Sequence, residues 1–206
     1  MNILRISCSP RGASSESRRL SQQIVDRLRA REPAATVVER MLGDGSIAHV
    51  DANYALAQHS ATAEVPALGG IAQSDMLIRE LERSDAVVIA TPMHNLGVPS
   101  VLKAWIDHVV RARRSFHMTE RGKVGALRDR PVFVAVASGG RFSGEQARQP
   151  DFLTPYLRVI LATIGLHEVS FFSVEGTGGG DEAVVAARAR AERALEAHFA
   201  QTVQSG

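Results

Sequence analysis

Short apolar runs alternate along the chain with longer segments in which apolar residues recur every three or four positions. The short runs, each bounded by polar or turn-forming residues, predict buried strands at Ile3–Ile6, Ala35–Glu39, Asp85–Ala90, Val132–Ala137 and Glu168–Val174. The longer segments carry one apolar stripe each and predict helices at Ser15–Arg31, Ile71–Arg83, Val98–Val110, Thr154–Ile164 and Asp181–Phe199.

Strands that alternate with helices predict a single α/β domain over residues 1–206, built on a doubly wound five-stranded parallel sheet. The third strand is apolar almost throughout, which is typical of a central strand, and Thr91-Pro92 should end it. The segment from Met41 to about Val65 shows neither period and predicts an irregular connection. Ligands of such sheets lie at the carboxyl ends of the strands, so the loops after the first, third and fourth strands are the candidate site.

Hydroxyl side chains dominate the loop after the first strand, Ser7-Cys8-Ser9-Pro10-Arg11-Gly12-Ala13-Ser14-Ser15-Glu16-Ser17. Serines that precede a helix place donors beside its unpaired backbone N–H groups, a combination that suits phosphate. The loop lacks the Gly-Lys-Ser/Thr ending of a nucleoside triphosphate loop, and it has one glycine where a Rossmann loop has three. It therefore fits a monophosphate held by neutral donors, and a plain helix cap with surplus serines is the alternative.

A turn stiffened by two prolines follows the third strand and leads into a helix, in the order Thr91-Pro92-Met93-His94-Asn95-Leu96-Gly97-Val98-Pro99-Ser100. The backbone of residues 93–96 is placed to edge a flat ligand. The Asn95 amide can hold either the loop itself or a polar ring edge. His94 has the chemistry of a general acid, although a solvated or packing role is commoner for a loop histidine.

The segment TPMHNLGVPSVLKAWIDHVVRARRSF closely resembles the flavin segment of the FMN-dependent NADH:quinone oxidoreductases, the azoreductases of the flavodoxin-like superfamily. The usual pattern of that family is Pro-Met-Tyr-Asn-Phe followed by a Pro-Ser-x-Leu-Lys helix. The first-loop serines and Thr154-Pro155-Tyr156-Leu157 are similar as well, so the resemblance spans most of the chain. It implies a flavodoxin-like sheet of strand order 2-1-3-4-5, bound FMN, and a homodimer with its flavins near the interface.

The resemblance also implies which residues hold the cofactor. Those around the FMN phosphate and ribityl chain would be Ser9, Ser15, Glu16 and Ser17, and those bordering the isoalloxazine ring would be Met93, His94, Asn95 and Leu96. A Ser-Arg-Gly-Gly-like turn of the family corresponds to Ser138, Gly139, Gly140 and Arg141. Glycines there permit close backbone approach to the pyrimidine side of the ring, but the arginine stands on the other side of the glycine pair.

Three positions lack aromatic side chains that relatives carry near the ring. His94 and Leu96 stand where the family pattern has Tyr and Phe, and Thr163 occupies a place where relatives can carry an aromatic that stacks on the acceptor. Phe116 remains as a candidate pocket wall. We therefore expect a weaker or different preference among aromatic acceptors.

Composition argues against several other classes of protein. The lone cysteine, Cys8, excludes internal disulfides and multi-cysteine metal sites, and the seven histidines show no metal-binding spacing. No segment approaches the roughly 20 apolar residues that span a bilayer, and the start of the chain lacks the long apolar region of a secretory signal. We therefore expect a cytoplasmic protein without a metal or a membrane partner.

Arginine supplies nearly all the positive charge, yet the formal net charge is only +2 and aromatic residues make up 5% of the chain. A nucleic-acid surface would combine basic charge on one face with stacking aromatics. The densest cluster, Arg111, Arg113 and Arg114, is therefore interpreted as a solvated face or the rim of an anionic-ligand site. Nucleic acid is not an expected partner.

Three further signals are given minor roles. The run from Gly176 to Asp181 is similar to a dinucleotide fingerprint, but no further βα unit follows it, so a flexible connection with Asp181 as a helix N-cap is expected. Cys8 is interpreted as a small apolar filler rather than a redox group. The chain has no G-x-S-x-G elbow, which argues against an α/β-hydrolase.

The expected reaction has two steps, in which NADH or NADPH gives hydride to FMN and a quinone or azo compound then takes its place over the ring. No amino acid serves as a nucleophile or metal ligand in this scheme. Backbone donors near Asn95 and Gly140 would stabilise charge on the reduced ring. Two alternatives stay open: a flavin-binding electron carrier or redox-responsive module without turnover, and an NAD(P)H-dependent FMN reductase.

Overall fold

Five parallel strands form the central sheet of the computed structural model, which describes residues 1–59 and 68–201. The sheet order is β2-β1-β3-β6-β7. Its strands are β1 (Asn2–Ser7), β2 (Thr36–Met41), β3 (Ala86–Pro92), β6 (Val132–Ser138) and β7 (Val169–Glu175). Two short strands outside this sheet, β4 (Phe116–Thr119) and β5 (Gly122–Gly125), pair with each other as an antiparallel hairpin. Within the main sheet the chain order is therefore 2-1-3-4-5, as the resemblance implies.

Helices cover both faces of the sheet. They are α1 (Glu16–Arg31), α2 (Ala52–His59), α3 (Gly69–Arg83), α4 (Ser100–Val109), α5 (Thr154–Thr163) and α6 (Asp181–Gln201). Alternate residues of each strand point to opposite faces, so the sheet separates two apolar cores. Leu4 and Ile89 belong to the core under α3, α4 and α5, whereas Ile3 and Val88 belong to the core under α1 and α6. The prediction of a doubly wound α/β fold is confirmed.

The expectation of an irregular connection over 41–65 is wrong for residues 52–59, which form α2. Tyr54 is the one buried residue of α2 among those whose side chains are described, so this short helix has no repeating apolar stripe. Asp51 fixes it instead, because its carboxylate accepts from Tyr54 N at 2.8 Å and from Gly70 N at 2.9 Å, at the start of α3. Residues 60–65 lie outside the described part of the chain.

Two other expectations need correction, and one pair of strands was not expected. Thr91 and Pro92 are the last two residues of β3 and still pair with Val136 and Ala137 of β6, so the strand ends after them and not before them. The β4–β5 hairpin was not predicted, because two four-residue strands rich in glycine and polar residues give no clear alternation. Asp181 is the first residue of α6 rather than a residue preceding it.

The arginine cluster is not simply a solvated face. Arg111 is 8% exposed, donates to Ser74 Oγ at 2.9 Å and forms an ion pair with Asp75. Arg114 is more exposed and pairs with Glu82 at 3.1 Å. Both interactions tie the segment after α4 to α3. No helix among the described residues is both long and apolar enough to cross a membrane.

Candidate active site

The loop after β1 folds into a compact turn that places Ser15 and Ser17 at the start of α1. Gly12 adopts a φ of +53°, which favours glycine, and a single turn of 3-10 helix follows at Gly12–Ser14. Ser15 is the N-cap of α1, and its Oγ accepts from Arg18 N at 3.3 Å. Ser17 is fully buried behind it, with its Oγ 3.0 Å from Ser15 Oγ.

The segment directly after β2 packs against this loop. Leu42 N and Gly43 N both donate to Ser7 O, at 2.8 and 3.2 Å. A Cβ on Gly43 would lie 2.3 Å from Ser9 O, so the close approach requires glycine at this position. Gly43 is therefore a residue of the site that sequence reasoning missed. The only signal was a glycine in an otherwise featureless connection.

The turn after β3 is a two-residue reversal. His94 N donates to Gly97 O at 3.0 Å and Gly97 N donates to His94 O at 2.9 Å, while Asn95 and Leu96 have φ values of +47° and +69°. Positive φ at both central residues is the geometry of a type I′ turn, which costs energy when neither residue is glycine. Leu96 O also accepts from Phe152 N at 3.1 Å, which ties the turn to the segment before α5.

The loop after β6 is fastened on two sides. Thr177 Oγ1 donates to Ser138 O at 3.1 Å, Gly178 N donates to Gly139 O at 3.1 Å, and Gly176 N donates to Gly140 O at 3.2 Å. The segment after β7, expected to be a flexible connection, is thus bonded at residues 176–178 to the candidate site. Thr177 also contributes to the cleft described below.

Glu175, at the end of β7, holds the far side of the same loop. Its carboxylate accepts from Phe142 N at 2.8 Å, from Ser143 N at 3.1 Å, and from the hydroxyls of Ser143 and Ser173 at 2.6 and 2.7 Å. Burial by itself raises the pKa of Glu175, but these hydrogen bonds together lower it below the ordinary value. The carboxylate is therefore ionised at neutral pH and acts as an anchor for residues 142–143.

A cleft of about 340 Å³ opens where these loops meet, at the carboxyl ends of β1, β3 and β6. This volume lies within the roughly 300–1,000 Å³ usual for small-molecule sites. The predicted residues that line it are Ser9, Ser15, Glu16, Met93, His94, Ser138 and Gly139, and the additional lining residues are Pro10, Arg11, Pro92, Ala137 and Thr177. Serine hydroxyls and the N-terminus of α1 lie at one end, and the strand ends of β3 and β6 form the other.

Seven predicted residues do not line this cleft. Asn95 and Gly140 adjoin lining residues in the chain, Leu96 follows Asn95, and Ser17 lies behind Ser15. Arg141 donates to Gln146 and lines a neighbouring pocket with Glu175 and Arg190. Phe116 and Thr163 lie in the hairpin after α4 and at the end of α5, two helices that lead back from the cleft toward the amino ends of the strands.

Gln149 joins the loops after β3 and β6. Its Nε2 donates to Ser138 Oγ at 3.1 Å and lies 3.1 Å from Met93 Sδ. A Cβ on Gly140 would lie 2.1 Å from Gln149 Oε1, so the glycine makes room for this side chain. No pattern in the sequence points to Gln149, because its partners lie 11 and 56 residues away in the chain.

Cys8, at the base of the first loop, is fully buried, and burial raises the pKa of its thiol to about 12. This agrees with its interpretation as an apolar filler, since a thiol with so high a pKa is a poor nucleophile at neutral pH. The described residues contain no group of three or more potential metal ligands from His, Cys, Asp and Glu.

The residues present fit a flavin mononucleotide. Serine hydroxyls and the first-turn N–H groups of α1 are suitable donors for a phosphate, and Arg11 adds positive charge at the same end of the cleft. At the other end, a Cβ on Gly139 would meet nothing within 4 Å, so its backbone is open to a ligand. The serine loop after β1 suits a phosphate, and the turns after β3 and β6 can border a flat ring. In a sheet of order 2-1-3-4-5, this is the arrangement of a mononucleotide site in a flavodoxin-like protein.

Comparisons with known proteins agree with this class. A family model described as a flavodoxin-like fold matches residues 1–199. FMN-dependent NADH:quinone oxidoreductase 4 of Pseudomonas fluorescens is 48% identical over 195 residues, which cover 94% of this chain and 93% of the relative. FMN-dependent NADH:quinone oxidoreductase 5 of Burkholderia lata is 45% identical over 201 residues, which cover 97% of each chain. The chain belongs to the family of FMN-dependent NADH:quinone oxidoreductases.

Solved structures share the fold. The crystal structure of azoreductase AzrA is 23% identical, with a TM-score of 0.78 over 94% of this chain and 98% of that one. An FMN-dependent NADH-azoreductase from Bacillus anthracis, crystallised in complex with FMN, is 23% identical with a TM-score of 0.75, over 96% of this chain and 99% of that one.

Proposed function

We propose that this protein is an FMN-dependent NAD(P)H oxidoreductase that reduces quinones and azo compounds in a ping-pong cycle. The observation that carries the proposal is the strand-end cleft, where a serine-rich helix N-terminus faces two turns with open backbone. Relatives at 45–48% identity are named as FMN-dependent NADH:quinone oxidoreductases, which supports the same activity here. NADH is the donor that those names give, and NADPH is the alternative donor.

The serine loop is the proposed phosphate site. Ser9, Ser15 and the first-turn N–H groups at Glu16 and Ser17 would hold the phosphate, and Arg11 lines the same cleft with a positive charge. Ser17 would act through its backbone and through its hydrogen bond to Ser15 Oγ.

The turns after β3 and β6 are the proposed ring site. The bound FMN would supply hydride acceptance from the nicotinamide and electron delivery to the second substrate. Met93, His94, Asn95 and Leu96 would border one edge of the ring, and Ser138, Gly139 and Gly140 the pyrimidine side. Because the reversal at residues 94–97 and the fastened loop after β6 hold these backbones in place, they can present fixed donors to the ring. Arg141 is a less suitable ligand, because its side chain lies in the neighbouring pocket.

The chain is also proposed to form a homodimer. Phe152 and Val159, beside and within α5, are 63% and 69% exposed and give an apolar surface that a second copy would cover. Thr163 would then help to form an acceptor pocket only as a residue contributed to the other copy's cleft, whereas Phe116 is 6% exposed in its own chain and offers little surface to a second copy. Measuring the native mass in solution tests the dimer.

The cytoplasm is the proposed location, because NADH is generated and consumed there and the one cysteine is a buried thiol. Neither nucleic acid nor a membrane is proposed as a partner. Several arginines that give the chain its basic character are engaged in ion pairs, among them Arg40 with Glu80 and Arg111 with Asp75.

Steady-state kinetics test the proposed cycle. With FMN-loaded protein, NADH and a benzoquinone are each varied against several fixed concentrations of the other, and parallel double-reciprocal lines are expected. NADH oxidation that needs added free FMN and ignores the quinone would identify an FMN reductase instead. FMN binding without NADH oxidation would identify an electron carrier or redox-responsive module.

The proposed phosphate site has its own test. Replacing Ser9, Ser15 and Ser17 together by alanine should weaken FMN binding by at least about tenfold, because the two hydroxyls that face the anion are lost together with the Ser17 hydroxyl that contacts Ser15 Oγ. Unchanged FMN affinity would refute the assignment of this loop.

A further inference from the structure

A carboxylate stands in the part of the cleft that suits a phosphate. Glu16 lines the cleft with Ser9 and Ser15, and its side chain is only 16% exposed. An ionised carboxylate next to a phosphate would raise the energy of the bound state, since like charges in a partly buried site repel each other strongly. The residue therefore needs a counter-charge if the site is to hold an anion.

Arg188, on α6, supplies that counter-charge through a bidentate ion pair. Its Nε donates to Glu16 Oε2 at 2.9 Å, and its Nη2 donates to Glu16 Oε1. Arg19, one turn along α1, adds a longer contact from its Nε to Glu16 Oε2 at 3.4 Å. The hydrogen bond from Arg188 is the main reason that the pKa of Glu16 is lowered, so the pair is a carboxylate and a guanidinium at neutral pH.

The pair is suited to control where the carboxylate lies as well as its charge. A planar guanidinium that binds both oxygens of a carboxylate fixes its orientation, which a single contact does not. Arg188 reaches Glu16 from α6, 172 residues further along the chain. The carboxylate oxygens are thus engaged by the two arginines.

We propose that Arg188 is a positioning residue: it neutralises Glu16 and turns the Glu16 carboxylate away from the phosphate of the bound cofactor. This inference rests on the proposed binding of FMN in this cleft. It assigns a role to a side chain of α6, a helix that contributes no lining residue to the cleft. The simpler alternative is that Arg188 only joins α1 and α6 through a surface ion pair. The test must distinguish this role from the proposed one.

The test compares FMN with riboflavin, which has the same ring and no phosphate. Binding is measured by quenching of flavin fluorescence in wild type, Arg188→Gln, Arg188→Lys and the double variant Glu16→Gln with Arg188→Gln. Arg193→Gln is the matched control, because Arg193 is exposed on the same helix and its loss changes the net charge by the same amount. Melting temperatures are recorded for every variant.

Arg188→Gln should weaken FMN binding by about tenfold, since it leaves Glu16 with only the longer contact from Arg19. Riboflavin binding should stay within about twofold, because no phosphate is present to be repelled. Arg188→Lys should give an FMN affinity between those of wild type and Arg188→Gln, since lysine keeps the charge but does not bind both carboxylate oxygens. The double variant should recover FMN affinity to within about threefold of wild type, since the unpaired carboxylate is gone.

Three results would overturn the proposal. They are equal FMN affinities for Arg188→Gln and Arg193→Gln, equal losses of FMN and riboflavin affinity in Arg188→Gln, and a double variant no better than Arg188→Gln. The second and third outcomes would assign Arg188 the role of a structural tie. If wild type fails to bind FMN, the proposed function fails first, so the two failures are distinguishable.

Discussion

The contact between Gly43 and the serine loop gives the sharpest structural prediction. In Gly43→Ala, the new Cβ would lie 2.3 Å from Ser9 O, 2.4 Å from Ser9 C and 2.9 Å from Pro10 N. All three atoms belong to backbone, so no side chain can rotate away. The carbonyl and the Cβ must separate from 2.3 Å to at least 3.0 Å, below which real Cβ contacts essentially never occur.

That displacement has two measurable consequences. Inserting a methyl group into a well-packed position costs about 1–3 kcal/mol, which for a chain of this size lowers the melting temperature by roughly 2–12 °C. Binding sites tolerate errors of about 0.5 Å in their ligating groups, so moving Ser9 by more than this should weaken FMN binding by about tenfold or more.

Thermal melting of the apoprotein and FMN titration check the two consequences separately. Gly97→Ala is the control for the melting temperature, because a Cβ there meets nothing within 4 Å and the backbone does not have a positive φ. Its stability should be unchanged or slightly higher. A Gly43→Ala protein with the melting temperature and FMN affinity of wild type would refute the account of this loop.

Three other predictions concern charge and burial. Glu175→Gln should destabilise the protein by about 1–3 kcal/mol at neutral pH. Because the pKa of Glu175 is lowered in the fold, its contribution is full above the unfolded-state pKa and lost as the pH falls through the folded value, so denaturant midpoints of variant and wild type should converge in acid. Cys8 should resist alkylation by iodoacetamide at pH 8 in the native protein and react once urea unfolds it, as mass spectrometry would record. Arg111→Ala should cost about 2–3 kcal/mol in urea unfolding, because Asp75 is left without its buried partner, whereas the more exposed Arg114→Ala should cost less than about 1 kcal/mol. Reaction of native Cys8, or equal costs at the two arginines, would contradict these assignments.

Periodicity was sufficient to predict the sheet and most of its helices. Strand β3 and helix α4 carry strong apolar patterns, because each is held by burial that recurs along the element. Helix α2 and the β4–β5 hairpin were missed, because α2 depends on Asp51 and Tyr54 and the hairpin consists of four-residue strands. Local pattern cannot report contacts of this kind.

The residues of the candidate site also fall into two groups, those that sequence pattern can place and those that it cannot. Met93 follows β3 directly, and Ser9 and Ser15 belong to the loop between β1 and α1, so the rule for parallel sheets places them at one edge. Thr177, Gly43 and Gln149 belong to the same site through contacts that join distant parts of the chain. Their roles depend on which loops pack together, and single-sequence patterns do not determine that.

The central claim is that this cleft holds an FMN that both accepts and releases electrons. An anaerobic titration tests it directly: FMN-loaded protein is reduced with NADH or NADPH, its absorbance at about 450 nm is followed, and benzoquinone is then added. We predict that one equivalent of NADH per FMN bleaches the band and that one equivalent of quinone restores it. A band that neither nucleotide bleaches would contradict the claim.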